Sequence, residues 1–189
     1  MHFLKLTSLL AFLSTSALAA PSELEVEHDK PHTPTPPGLT YLYTSYIICA
    51  PNVYDGQGPS GIRGLLPIHG GNFTGPLLNG EILDVGGDWG TADPQTGIFS
   101  ADSRYNMRTH DGAYLLVTTS GSGQPDGSSH VRVKIETGAK DYYWLNNILA
   151  VGVLNPAAHN ETTITLKIDA FHLTGEWNST TFVNGTTYP

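Results

Sequence analysis

A single cysteine, Cys49, stands in 189 residues, so no intrachain disulfide can form and the fold has to be held by its core. Charge is scarce as well: 14% of the residues are Asp, Glu, Lys or Arg, against about 25% in an average soluble domain. The 9 basic residues are outnumbered by 17 acidic ones, for a net charge of −8. That sign excludes the electrostatic footprint of a nucleic-acid binder, where clustered Lys and Arg displace counterions from phosphates. It also argues against an anionic membrane surface as partner. Long apolar runs are missing too, since Leu6 to Leu13 falls well short of the roughly 20 residues needed to cross a bilayer. The glycine-rich stretch Gly86-Gly87-Asp88-Trp89-Gly90 opens no helix and lacks the G-x-G-x-x-G spacing of a dinucleotide site. Neither a phosphate loop with its Lys nor a G-x-S-x-G nucleophile elbow occurs. The histidines are scattered, with only His28 and His32 at i, i+4, so no metal site is expected.

What remains is a chain with 39% apolar residues, 21 glycines and 13 prolines, enough to bury the core of one domain. Its start, MHFLKLTSLLAFLSTSALAA, joins Lys5 to a short apolar run and then to Ala17-Leu18-Ala19, the layout of a secretory signal peptide over 1–19 with cleavage after Ala19. Four N-x-S/T sequons, at Asn72, Asn160, Asn178 and Asn184, fit a secreted, extracellular glycoprotein. Residues 20–38 hold five of the 13 prolines with Glu23, Glu25, Glu27 and Asp29, which reads as an acidic linker with little to bury. Residues 176–189 read as a polar tail.

Between them, from 39 to 175, the periodicity is that of strands. Leu39–Cys49, Ile62–Ile68, Leu77–Val85, Ile98–Thr109, Ala113–Thr119, His130–Glu136, Leu145–Leu154 and Thr162–Leu173 are rich in aromatic and β-branched residues. Turn chemistry such as Asp55-Gly56, Gly70-Gly71, Asp111-Gly112 and Asn155-Pro156 separates them. No segment sustains a helical period beyond two turns. The expectation is an all-β domain with little helix, an antiparallel β-barrel lipocalin-like in outline; a two-sheet sandwich is the alternative. Cys49, inside Tyr46-Ile47-Ile48-Cys49-Ala50, is expected to be a buried and inert thiol.

Three blocks carry a resemblance. The first is Gly61-Ile62-Arg63-Gly64-Leu65-Leu66-Pro67-Ile68-His69-Gly70-Gly71-Asn72-Phe73-Thr74-Gly75-Pro76, continuing to Gly86-Gly87-Asp88-Trp89. The second is Asp102-Ser103-Arg104-Tyr105-Asn106-Met107-Arg108-Thr109-His110-Asp111-Gly112-Ala113, and the third Ile135-Glu136-Thr137-Gly138 with Tyr143-Trp144-Leu145-Asn146. In these, from about Leu39 to Leu173, the chain resembles domain-of-unknown-function family 3237, also called uncharacterised protein family 0311. It departs from the family pattern at Gly87, where alanine is usual, at Met107 for Leu, at Ile135 for Phe, and in carrying a signal peptide. The resemblance implies a compact β-barrel with a pocket at one mouth and no known cofactor.

The motif blocks concentrate charge in a chain that has little of it, and burying such groups costs several kcal/mol each unless they are paired. Asp88 and Asp111 sit where a turn carboxylate can accept backbone N–H bonds. Arg104 and Arg108 share one face of a strand with Asp102, as a surface ladder or as an interior ion-pair row. The functional expectation is a pocket bordered by Arg63, Asp88, Trp89, Arg104, Tyr105, Glu136, Tyr143, Trp144 and Asn146. Within it Asp88, Arg104 and Glu136 are the candidate acid–base residues and the others bind a small-molecule ligand. The structural alternative is that Arg63 or Arg104 pairs with Glu136 or Asp88 to close the barrel end. Two functions follow from the pocket, a cofactor-independent isomerase, cyclase or lyase of secondary metabolism, or a non-catalytic secreted carrier or interaction protein.

Protein recovered from the native host should begin at Ala20 and weigh more than its sequence because of N-glycans. Intact-mass analysis that finds Met1 retained and no glycan would remove the argument for secretion.

Overall fold

The computed structural model describes residues 35–175. The expected signal peptide, the expected linker up to residue 34, the expected tail 176–189 and the sequons at Asn178 and Asn184 lie outside the described residues. The elements are β1 (Gly38–Cys49), β2 (Asp55–Gly58), β3 (Gly61–Gly64), β4 (Leu66–Thr74), β5 (Asn79–Asp88), β6 (Thr91–Ala92), β7 (Phe99–Thr109), β8 (Tyr114–Gly123) and β9 (Ser129–Glu136). A 3-10 helix (Lys140–Asn147), β10 (Ala150–His159) and β11 (Ile164–Thr174) follow. Antiparallel pairing runs β7-β5-β4-β1-β11-β10-β9-β8 and returns to β7, so eight strands form a closed barrel. An unbroken ring of ladders distinguishes it from a two-sheet sandwich. The short strands β2, β3 and β6 extend from β7 as a small flap.

Closure forces alternation, because successive side chains on a strand point to opposite faces. On β7 the inward set is Ala101, Ser103, Tyr105, Met107 and Thr109, all buried, while Arg104 and Arg108 point out. The outward set forms a ladder: Arg104 meets Asp102 at 3.3 Å and Arg108 pairs with Glu81 of β5. The ion-pair row thus lies not in the interior but on the surface, where its desolvation cost is small. Leu42, Tyr43, Phe73, Leu78, Leu115, Val117, Ile135 and Ile168 fill the core, with Gly80, Gly152, Ala150 and Ala170 as the small partners that a narrow barrel needs.

The ladder is interrupted on β4, between Pro67 and Gly71, and on β5, between Ile82 and Gly86. Extra residues in one strand bend it and sharpen its twist. Glycine is required where these bends pass close to a neighbour. At Gly71 φ is +139° and an added Cβ would lie 2.0 Å from the Tyr46 carbonyl oxygen; at Gly86 φ is +122° and the Arg104 carbonyl would be 2.3 Å away. Beyond the β5 bend the strand ends with Asp88 turned inward and 3% exposed.

The register defines two ends. One gathers Cys49, Ile68, Asp88 and Ser103; the other gathers Thr74, Thr109, Glu136, Ala150 and His172. A strand expected over Leu145–Leu154 begins only at Ala150, because the preceding residues serve the second end as a plug. Trp144 and Leu145 of the 3-10 helix are buried there. Asn146 holds the helix to β9: its Oδ1 accepts from the Thr137 N–H at 3.0 Å and its Nδ2 donates to the carbonyls of Thr137 (2.9 Å) and Tyr143 (2.7 Å). Asp111 anchors the same end, accepting from the Tyr142 hydroxyl at 3.0 Å and from Thr109.

The glycine bends make a direct test of this architecture. Gly71→Ala should lower the unfolding free energy by about 3 kcal/mol, from combined backbone strain and overpacking. Gly138→Ala, with open space around its Cα, should stay within about 0.5 kcal/mol. Equal losses in urea titrations would show that the bends tolerate a Cβ.

Candidate functional site

The Asp88 end of the barrel holds the unusual chemistry. The backbone N–H of Asp102 donates to Asp88 Oδ1 at 2.9 Å, and the Ser103 hydroxyl and the Gly90 N–H also reach the carboxylate. These bonds favour the ionised form, yet burial outweighs them and raises the Asp88 pKa above the ordinary carboxylate value. Cys49 lies beside it, 1% exposed, its thiol pushed up to about 12 by burial and, secondarily, by the charge of Asp88. It is the buried thiol its apolar surroundings imply, and not a thiolate nucleophile.

Farther inward, Tyr43 from β1 and Tyr105 from β7 project into the barrel and feel one another. Burial raises both phenols, in Tyr105 with additional contributions from Tyr43 and Cys49. The Tyr43 ring packs edge-on against Phe73 with centroids 5.8 Å apart. Four buried hydroxyls, those of Tyr43, Ser45, Tyr105 and Thr119, have no hydrogen-bond partner among the described residues. An orphaned buried hydroxyl costs about 1–3 kcal/mol, so four in one barrel are a concentrated cost. The interior therefore combines a carboxyl group biased toward its protonated form with neutral hydrogen-bonding groups. That set can donate a proton, accept one back, and hold an oxygen-bearing molecule by its polar atoms.

The nine residues expected to border one pocket are distributed over both ends and both faces. Asp88 and Tyr105 point into the barrel. Arg63 and Trp89 sit beside Asp88 outside the core, where the exposed Arg63 guanidinium donates to the Trp89 carbonyl at 3.0 Å and braces the turn after β5. Arg104 is on the outer wall with Asp102, and Glu136 is on the outer wall with Lys134 at 2.5 Å. Tyr143 is exposed, Trp144 is buried in the plug, and Asn146 is its clamp. Thus the third motif block builds the opposite end from Asp88. Tyr43, Ser45, Ser103 and Thr119 went unrecognised as site residues, although the alternation Tyr43-x-Ser45-x-Ile47-x-Cys49 and Ser103-x-Tyr105 already places them on inward faces. Among the described residues no group of three His, Cys, Asp or Glu converges for a metal ion.

The raised Asp88 pKa has a thermodynamic sign. The folded protein binds this proton more tightly than the unfolded chain, so Asp88 costs stability as pH rises from about 3.9, the ordinary carboxylate value, to its raised folded value. Asp93, Asp111 and Asp126, lowered by hydrogen bonds from Gln95, Thr109 and Ser128 respectively, contribute with the opposite sign. Comparison with Asp88→Asn isolates the buried group. The wild type should lose stability relative to Asp88→Asn as pH rises from about 4 toward the raised folded value, and parallel stability curves would mean that Asp88 is not perturbed.

Comparison with known proteins fits this construction. A hydroalkoxylation enzyme of Penicillium herquei is 33% identical over 119 residues, which cover 63% of this chain and 75% of that protein. A crystal structure of an enzyme from the same fungus superposes with a TM-score of 0.59 at 31% identity, covering 75% of this chain and 98% of the other. A β-barrel-like protein of Acinetobacter baumannii superposes with a TM-score of 0.62 at 26% identity, covering 76% and 99%. An uncharacterised family 0311 protein of Rhodopseudomonas palustris is 28% identical over 114 residues, covering 51% of this chain and 74% of that protein. The family described as protein of unknown function DUF3237 matches residues 37–173, from the residue before β1 almost to the end of β11, and the chain belongs to that family.

Proposed function

We propose that this protein is a small-molecule-binding barrel that catalyses acid–base addition of a hydroxyl group across a carbon–carbon double bond in a secondary metabolite, with Asp88 as the proton donor. The observation that carries the reading is the buried Asp88, its pKa raised by burial, at the end of an interior lined with hydroxyls. The hydroalkoxylation enzyme among its relatives supports the reaction class. In this chemistry the Asp88 carboxyl protonates one alkene carbon, the substrate hydroxyl oxygen bonds to the neighbouring carbon, and the hydroxyl proton returns to the carboxylate. The step is redox-neutral and regenerates the acid. Tyr43, Tyr105, Ser45 and Thr119 hold the substrate oxygens. Arg104 and Glu136, on the outer wall, take no part.

The same hydroxyls suit a carrier that binds an oxygenated ligand and performs no chemistry, and the experiment separates the two. An alkenyl phenol is incubated with the protein and cyclic ether formation is followed by NMR. Asp88→Asn should slow ring closure by about 100- to 10,000-fold, the usual worth of a positioned acid, while Arg104→Gln stays within about twofold. Binding without turnover in the wild type would select the carrier, and full activity in Asp88→Asn would overturn the assignment.

We further infer that it acts outside the cell. The signal-like start supports this, as does the exposure of Asn72 on β4 and Asn160 in the β10–β11 turn. The Asn160 side chain accepts from the N–H groups of Thr162 and Thr163 at 2.9 and 2.8 Å, which fixes the shape of that turn. The intact-mass measurement described above tests the location.

A further inference from the structure

The outer wall carries a second feature that the Asp88 site does not explain. A groove of about 630 Å³ crosses β8, β9, β10, β11 and β1, within the roughly 300–1,000 Å³ range of small-molecule sites. Two cross-strand rows of outward residues run along it. The register aligns Ser120 with Arg132, Arg132 with Val151, and Val151 with Phe171; the next row aligns Ser122 with His130 and His130 with Val153. The groove is therefore graded: the Ser122 hydroxyl, an imidazole and a guanidinium at the β8–β9 side, then Val151, Val153, Phe171 and Leu39 toward β1. Neighbouring strands are about 4.8 Å apart, so the head and the far end of the gradient, from β9 to β1, are separated by about 14 Å.

Charge gives the gradient its direction. Arg104, Arg108, Lys134 and Lys167 each have a carboxylate partner, whereas among the described residues the Arg132 side chain forms no ion pair and no hydrogen bond. The Asp126 carboxylate, which feels His130, is already bound by the N–H and hydroxyl of Ser128. In a chain of net charge −8, a spare guanidinium at the head of an apolar groove favours one kind of occupant. We propose that this groove is a second binding site, separate from the barrel interior, for a free amphipathic carboxylate of medium chain length. Its headgroup pairs with Arg132, whose planar fork matches a carboxylate, and its chain lies over Val151 and Phe171 toward Leu39.

Dodecanoate, below its micelle concentration, is the probe, titrated into the full chain by calorimetry and by NMR. Binding should shift the amides of Arg132, Val151 and Phe171 and leave that of Asp88 unmoved. Arg132→Gln should weaken binding about tenfold, as expected for loss of a charge-assisted bond, and Val151→Asp should abolish it. Dodecanol should bind at least about tenfold more weakly than dodecanoate. Asp88→Asn should bind dodecanoate like the wild type, which keeps this result independent of the proposed reaction. Equal affinity for the alcohol, shifts confined to the Asp88 end, or no binding would each overturn the proposal. So would a dimer in sedimentation that Val151→Asp dissociates, since the groove would then be a contact between two copies.

Discussion

The pairing of β7 with β8, in register from Ser100–Ser122 to Arg108–Tyr114, closes the sheet, and most of what is distinctive in this protein follows from that closure. A closed sheet has no free edge along its wall, and its interior must be packed by whatever the inward positions supply. Here those positions supply both apolar bulk and four hydroxyls without partners among the described residues. Closure also makes the bends at Gly71 and Gly86 necessary, since strands that wrap a narrow barrel approach one another within the space of a Cβ.

The two ends divide the work. At the helix end, Trp144 and Leu145 plug the core while Asn146 ties the plug to Thr137. Every polar atom of the Asn146 amide is used, as structural fastening requires. At the Asp88 end, the carboxylate is fastened by the Asp102 N–H but still pays for burial, and the raised pKa is the residue of that imbalance. A group held at a cost at the end of an interior with orphaned hydroxyls is suited to chemistry, whereas a fully satisfied one is suited to architecture. The outer wall follows a third logic, with its cations mostly paired across or along strands and an apolar groove running between β9 and β1.

Strand periodicity made the fold class legible, because alternation and glycine-rich turns are local properties of the chain. Family-like motifs likewise marked Asp88 and Tyr105. The same motifs misled where they were assumed to converge: Glu136 belongs to β9 and ends on the outer wall because Val131, Val133 and Ile135 take the inward positions. The strand expected over Leu145–Leu154, which holds Asn146, failed at its start for a different reason. Its apolar residues match a pleated surface equally well, and only the need to stop the end of a barrel selects a 3-10 helix.

By itself the sequence determined that the domain is all-β, free of disulfides and poor in charge, since composition and period-2 patterning do not depend on long-range contacts. It also determined which residues of each strand share a face. Which strands become neighbours, and hence which inward faces look at one another, was decided only by tertiary structure. Cys49 and Asp88 are 39 residues apart in the numbering yet share one end, and Tyr43 and Tyr105 meet across the interior. Burial in that shared space shifts the Asp88 proton, and burial is a property of the assembled ring and of no single strand.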